Sequence, residues 1–261
     1  MRNLTHILIY VLPVVVSVAT LSGCRSGAGP AVVAPQFYRV NDDTGRPTDD
    51  EAARTQVQRM SATIAPYKAQ LDDRMTRPLA TVATPLTKGA PESSLGNWAA
   101  DLLDAAARAT FPDRPIAFTS MNQGGMRVQE IGTGPLLVSE IYELMPFDNE
   151  LVLLELTGAE LTEYVNHIAN SGGWPVSGQL SVRRQGGQLS VRLSGQPVDP
   201  AAAYVIALPD YVAGGGSGAR MLVGKPPVKS GLLVRDLLIE YAAKAEGPID
   251  VRPDGSRMRL D

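Results

Sequence analysis

The stretch "LSVRRQGGQLSVRLSG", residues 180–195, decides the fold class. Leu180 and Val182 on one side, and Leu189, Val191 and Leu193 on the other, alternate with polar residues. A period of two marks a strand with one buried face. Between the two runs, Gln185-Gly186-Gly187 supplies the positive φ that a tight hairpin turn needs. Two antiparallel strands therefore stand in the middle of a chain that is otherwise rich in helical patterns. Hairpins mixed with helices, without βαβ alternation, imply an α+β domain with a mixed sheet and flanking helices.

Working upstream, "TGAELTEYVNHIAN" opens with Thr157 and has Glu160 three residues on, the capping-box spacing that starts a helix. "PIAFTS" (residues 115–120) reads as a buried strand. "ESSLGNWAADLLDAAARAT" (92–110) carries Leu95, Trp98, Ala99, Leu102, Leu103 and Ala106 at helical spacing, with Ser93 or Ser94 as its cap. "LATVATPL" reads as a strand. Before it, a helix begins near a Thr48 or Asp49 cap, and Pro66 is expected to break or kink it. Downstream, "AAYVIALPDYVAGGGSG" is a strand running into a Gly-rich loop, and "GLLVRDLLIEYAAKAEG" reads as a terminal helix.

The chain has 261 residues, 44% hydrophobic and 20% charged, with net charge -3. That is enough for one sizeable core. A polyanion binder needs a basic excess, so no nucleic-acid polymer is expected as a partner. The single cysteine, Cys24, excludes an intramolecular disulfide. It ends an apolar run from Ile7 to Leu21 in "LSGC", which resembles a bacterial lipoprotein lipobox. The expectation is a signal peptide over 1–23, acylation and membrane attachment at Cys24, a flexible tether over 24–48, an N-terminal helical segment over 49–80 and the domain proper over 81–261. Such a protein is lipid-anchored in the cell envelope, at the periplasm-facing outer membrane.

Histidine sets a limit on catalysis. There are two, and His6 lies in the expected signal peptide. His167 alone remains, read as a helix-surface residue, so Ser-His-Asp or His-rich zinc chemistry is not expected. "GGGSGA" (214–219) formally fits a dinucleotide fingerprint, but Pro226 and Pro227 follow where a helix should open. Its glycines imply a close backbone approach or positive φ. "MNQGGMR" (121–127) sets two bare residues, Gly124 and Gly125, beside the guanidinium of Arg127, a combination suited to a small anion.

Four stretches taken in order are similar to the C-terminal domain of 5′-nucleotidases and UDP-sugar hydrolases. "ESSLGNWAADLL" resembles the family's Glu-x-x-x-Gly-Asn-x-x-x-Asp helix. "NQGGMR" resembles its Asn-Gly-Gly-Gly-Ile-Arg turn, and "IYELMPFDNELVLLELTGAEL" its Pro-Phe-Gly-Asn segment and following helix. "YVIALPDYVAGGGSG" resembles its Gly-Gly-Asp-Gly loop. The resemblance covers roughly Thr81 to Asp261.

The resemblance implies roles for particular residues. Phe147 and Tyr211 match the rings that sandwich the base, Arg127 an arginine that holds phosphate, and Asn122 and Asn149 polar contacts nearby. Gly215, Gly216 and Gly218 frame Ser217, which stands where the family loop carries Asp for the ribose. Lys88 stands near the place of missing family arginines, as a point charge without their fork. The family's other half is a metallophosphoesterase with two metals, and nothing upstream of Thr81 has its length or histidines. The implied function is the nucleotide-binding half of a nucleotide-catabolising phosphohydrolase. It holds a nucleoside 5′-phosphate, binds no cofactor itself, and acts with a separate metallophosphoesterase subunit that carries the divalent metals. The alternatives are a stand-alone nucleoside- or nucleotide-binding lipoprotein and a structural lipoprotein with a decayed pocket.

Overall fold

The computed structural model describes residues 51–261. The lipobox, Cys24, the tether and the Thr48 or Asp49 cap lie outside the described residues. In chain order the elements are α1 (Glu51–Met75), β1 (Pro78–Val82), β2 (Leu86–Thr87), α2 (Ser94–Thr110), β3 (Ile116–Thr119), β4 (Glu130–Ile131), β5 (Gly134–Leu137), α3 (Val138–Leu144), β6 (Glu150–Thr157) and α4 (Gly158–Asn170). Then follow β7 (Leu180–Gln185), β8 (Gln188–Leu193), β9 (Gln196–Pro197), β10 (Ala203–Pro209), α5 (Asp210–Ala213), β11 (Val228–Leu233), α6 (Val234–Ala242) and β12 (Met258–Arg259).

The central sheet has the order β11-β6-β10-β3 and is mixed, because β10 runs antiparallel to β6 but parallel to β3. Its middle strands read "ELVLLELT" and "AYVIALP", almost continuously apolar. Strands covered on both faces need side chains for two cores. Leu151, Leu153 and Ala207 enter one core with Leu95, Leu103 and Trp98 of α2 and Leu237 and Leu238 of α6. Val152, Leu154, Leu156, Ile206 and Leu208 enter the other with Leu161, Tyr164, Val165 and Ile168 of α4. The α+β architecture with a mixed sheet and flanking helices is thus the observed one.

The hairpin forms as its pattern predicts, β7 against β8 from Leu180↔Leu193 to Gln185↔Gln188. Gly186 and Gly187 have φ of 58° and 78°, both left-handed. The two helix caps also form. The Ser93 hydroxyl accepts from Gly96 N at 3.1 Å. Thr157 and Glu160 exchange backbone and side-chain bonds at the start of α4.

Three expectations are corrected. Helix α1 runs unbroken through Pro66. Pro66 leaves only the Ala62 carbonyl without its helical donor, and water can serve an exposed carbonyl. The strand expected over 79–86 is split into β1 and β2, with Pro85 between them. The terminal helix starts at Val234, because the preceding residues are drawn into the sheet as β11, paired with β6.

Candidate functional site

The site is built where three loops leave the edges of these elements. The first follows β3: Ser120 N donates to Ala207 O, Met121 N to Pro175 O, and the chain makes a 3-10 turn over Gln123–Gly125. Behind it, the buried Tyr164 hydroxyl bonds Ser120 Oγ at 2.8 Å, and burial pushes that phenol's pKa up. Lys88 Nζ donates to Met126 O at 2.8 Å. It braces the turn rather than facing a ligand as a loose charge.

The second loop, Pro146 to Asn149, joins α3 to β6. It is tied to α6 through Arg235, whose guanidinium donates to Asp148 Oδ1 at 2.7 Å and lies 4.5 Å from the Tyr142 ring centre. A planar cation held by a carboxylate and a ring is a firm anchor, so the backbone of Phe147 is fixed while its side chain stays 39% exposed.

The third loop follows β10 and α5. Gly215 and Gly218 have φ of 92° and 81°, and Ser217 shares the left-handed region at 51°. A Cβ on Gly216 would stand 2.5 Å from Tyr211 Cε1, so only glycine lets the loop close on that ring. The Tyr211 hydroxyl accepts from Ser217 N at 3.2 Å. The ring is therefore pinned at its tip, yet half exposed along its face.

These loops enclose a cleft of about 290 Å³ lined by Asn122, Gly124, Gly125, Arg127, Phe147, Asn149, Tyr211 and Ser217. All six side chains singled out in the sequence line it. Gly215, Gly216 and Gly218 do not: they shape the loop behind Ser217 and Tyr211. Phe147 and Tyr211 are among the few large apolar side chains left exposed, which rules out a core role for either. The Arg127 guanidinium lies 5.8 Å from the Phe147 ring centre and donates to Gly124 O at 3.2 Å. Among the described residues no carboxylate is within salt-bridge distance of it, and no carboxylate lines the cleft. One cation in the same cleft as two open rings suits a flat ligand with an anionic arm.

The two glycines of the first turn divide the work. A Cβ at Gly125 would meet Asn122 Oδ1 at 2.9 Å, so that glycine makes room for a side chain of the protein itself. A Cβ at Gly124 would meet nothing closer than Asn122 Nδ2 at 3.8 Å, so that position leaves space in the cleft.

Two contributions were missed by sequence reasoning. His167 is not a plain surface residue: its Nε2 is 3.0 Å from Ser217 O, and its ring packs edge-on against Trp174 at 5.3 Å. Its partner lies 50 residues on, beyond any local pattern. The helix motif also has a different use. Glu92 accepts from Asn97 Nδ2, Arg257 N and Met258 N. Asp101 takes the Arg257 guanidinium at 2.7 and 2.6 Å. Those acids clasp the C-terminal tail and do not reach the cleft.

The residues present do not fit a divalent metal. The cleft offers amides, one hydroxyl and a cation, and among the described residues no three His, Cys, Asp or Glu side chains stand together as a metal site. No helix among them is long and apolar enough to cross a membrane.

A family model described as the 5′-nucleotidase C-terminal domain matches residues 74–224. Protein UshA of Escherichia coli is 32% identical over 140 residues, 51% of this chain and 25% of that protein. The 5′-nucleotidase of Vibrio vulnificus is 31% identical over 140 residues, with the same coverage. The chain thus spans about a quarter of the length of these relatives. Among solved structures, the 5′-nucleotidase precursor of Thermus thermophilus superposes with a TM-score of 0.62 at 23% identity, over 75% of this chain and 42% of that one. The sulfate thiohydrolase SoxB from the same genus gives 0.53 at 21%, over 78% and 38%. At these identities the superpositions establish the fold, not the substrate.

Proposed function

The chain belongs to the 5′-nucleotidase C-terminal domain family, and on that premise we propose that its cleft holds a nucleoside 5′-phosphate for hydrolysis at a metal centre carried by a separate metallophosphoesterase chain. The observation that carries this reading is the pair of exposed, anchored rings, Phe147 and Tyr211, facing one cleft with Arg127. Exposed rings are costly to leave in water unless a ligand covers them. Stacking on both faces contributes about 1–3 kcal/mol per base and tolerates any base. Arg127, with no acid among the described residues to neutralise it, supplies the fork for phosphate. Asn122, Asn149 and Ser217 offer donors and acceptors for the sugar. Ser217 does so without the charge of a carboxylate.

The chain's part in the reaction is to bind and orient. Remote binding energy holds the phosphate where the other chain's metals act. An envelope location through acylated Cys24 belongs to the same proposal.

The test is a two-part measurement. A thermal-shift screen should show stabilisation of the chain by at least one nucleoside 5′-phosphate. Phosphate release should be at the buffer rate for the chain alone with Zn, Mn, Co or Mg, and appear when the metallophosphoesterase chain is added. Binding without any partner-dependent turnover would favour the stand-alone receptor instead. No binding by any nucleotide would remove both readings.

A further inference from the structure

Helix α1 carries an apolar seam that nothing in the described structure covers. Val57, Met60, Ile64, Tyr67 and Leu71 are each 53–72% exposed, although large apolar side chains elsewhere are mostly buried. Their spacing is 3, 4, 3, 4, the a/d repeat of a two-stranded coiled coil. All the described side chains from Thr55 to Arg74 are exposed, so no core among the described residues supports this helix. A 25-residue helix with an internal proline gains little from propensity alone, and most helical stability comes from packing an apolar face. From this juxtaposition we infer that α1 pairs in parallel with α1 of a second copy of the chain.

The residues select that occupant. The a positions are Val57, Ile64 and Leu71, and the first two are β-branched, which at a favours two parallel strands. The flanking g positions are Gln56, Thr63 and Gln70, and the e positions Ser61 and Lys68. Between Val57 and Leu71 parallel pairing sets Lys68 against Thr63 of the other copy, so no like charges meet there; Arg74, at the next d position, meets its own copy only in the last turn of the helix. The acids Asp72 and Asp73, and Arg59, fall outside the seam. Pro66 falls at c, on the outer face, where its ring cannot obstruct the partner. Ten half-exposed side chains at roughly 100 Å² each give about 1,000 Å² in total, the lower end of what a specific interface buries.

The experiment uses the full chain carrying Cys24→Ser, so that no native thiol interferes. Sedimentation equilibrium should report a dimer that Ile64→Lys converts to monomer, with the nucleotide-induced thermal shift unchanged. Under mild oxidation Val57→Cys should cross-link to itself, because parallel pairing sets residue 57 beside its own copy. Antiparallel pairing about Ile64 would set it beside Leu71, and its own copy about 21 Å away along the axis. Leu71→Cys is a second such probe, and Ala62→Cys, on the outer face, should stay unlinked. A monomeric parent chain at tens of micromolar overturns the inference, as does a dimer that persists in Ile64→Lys. Failure of both seam cysteines to link in a dimeric chain overturns the parallel arrangement. Loss of nucleotide binding with dimerisation intact would instead strike the functional reading above.

Discussion

The Asn122 amide donates to the Ser217 hydroxyl at 3.0 Å, joining loops 95 residues apart in the chain. Ser217 sits in left-handed backbone, which costs a residue with a Cβ about 1–2 kcal/mol. Tyr211, His167 and Asn122 between them engage its N–H, carbonyl and hydroxyl, and hold it there. Asn122→Ala should therefore lower stability by about 0.5–1.5 kcal/mol, the worth of a part-buried hydrogen bond. Ser217→Gly loses the same bond but also the backbone strain, and should be close to neutral. Urea midpoints of the two variants check this. Equal destabilisation by both would show that the loop holds no strain.

The cleft residues should separate by ligand part. Phe147→Ala and Tyr211→Ala should each weaken all nucleoside 5′-phosphates by about 1–3 kcal/mol, with little preference among bases. Arg127→Ala should weaken phosphates more than nucleosides, since among the described residues it is the only cation lining the cleft. Calorimetric titration of both ligand classes is the measurement. Selective loss of one base in either aromatic variant would contradict stacking.

What was legible in the sequence is what local chemistry decides. Ser93, Thr157 and Glu160 cap helices through neighbours three residues away, and Gly186-Gly187 turns a hairpin on its own. The cleft residues were legible because each sits in a short motif similar to the family's. The start of α6 was misplaced because Val228–Leu233 has no strand signal until β6 lies beside it. The use of Glu92 and Asp101 was hidden for the same reason: their partner, Arg257, is 165 and 156 residues downstream.

That clasp carries its own prediction. Arg257 has a side chain only 13% exposed, and its fork meets both Asp101 oxygens. Arg257→Ala should destabilise the domain by about 1–3 kcal/mol, as expected for charge-assisted bonds. Arg257→Lys should recover only part of this, because a point charge cannot span two oxygens. Neither should change ligand specificity, because the clasp does not line the cleft. Chemical denaturation with a nucleotide titration alongside tests both halves.

The last prediction concerns pH. Glu160 caps α4 and also takes Lys225 Nζ, from the segment that follows the glycine loop. The Lys225 bond is the largest cause, and Thr157 N–H adds to it, lowering the Glu160 carboxyl from 4.5 to about 2. A depressed carboxyl binds its proton later in the folded state than in the unfolded one. Its contribution is therefore whole above about pH 4.5 and drains away as pH falls toward 2. Because the Glu160 side chain is 40% exposed, solvent screens the pair and the effect is modest. Lys225→Met should lower the midpoint temperature at pH 7, and the gap from the parent chain should narrow steadily between pH 5 and pH 3. High salt should narrow it too. A gap that stays constant over that range would mean that Lys225 supports the loop by packing its stem, not through its charge.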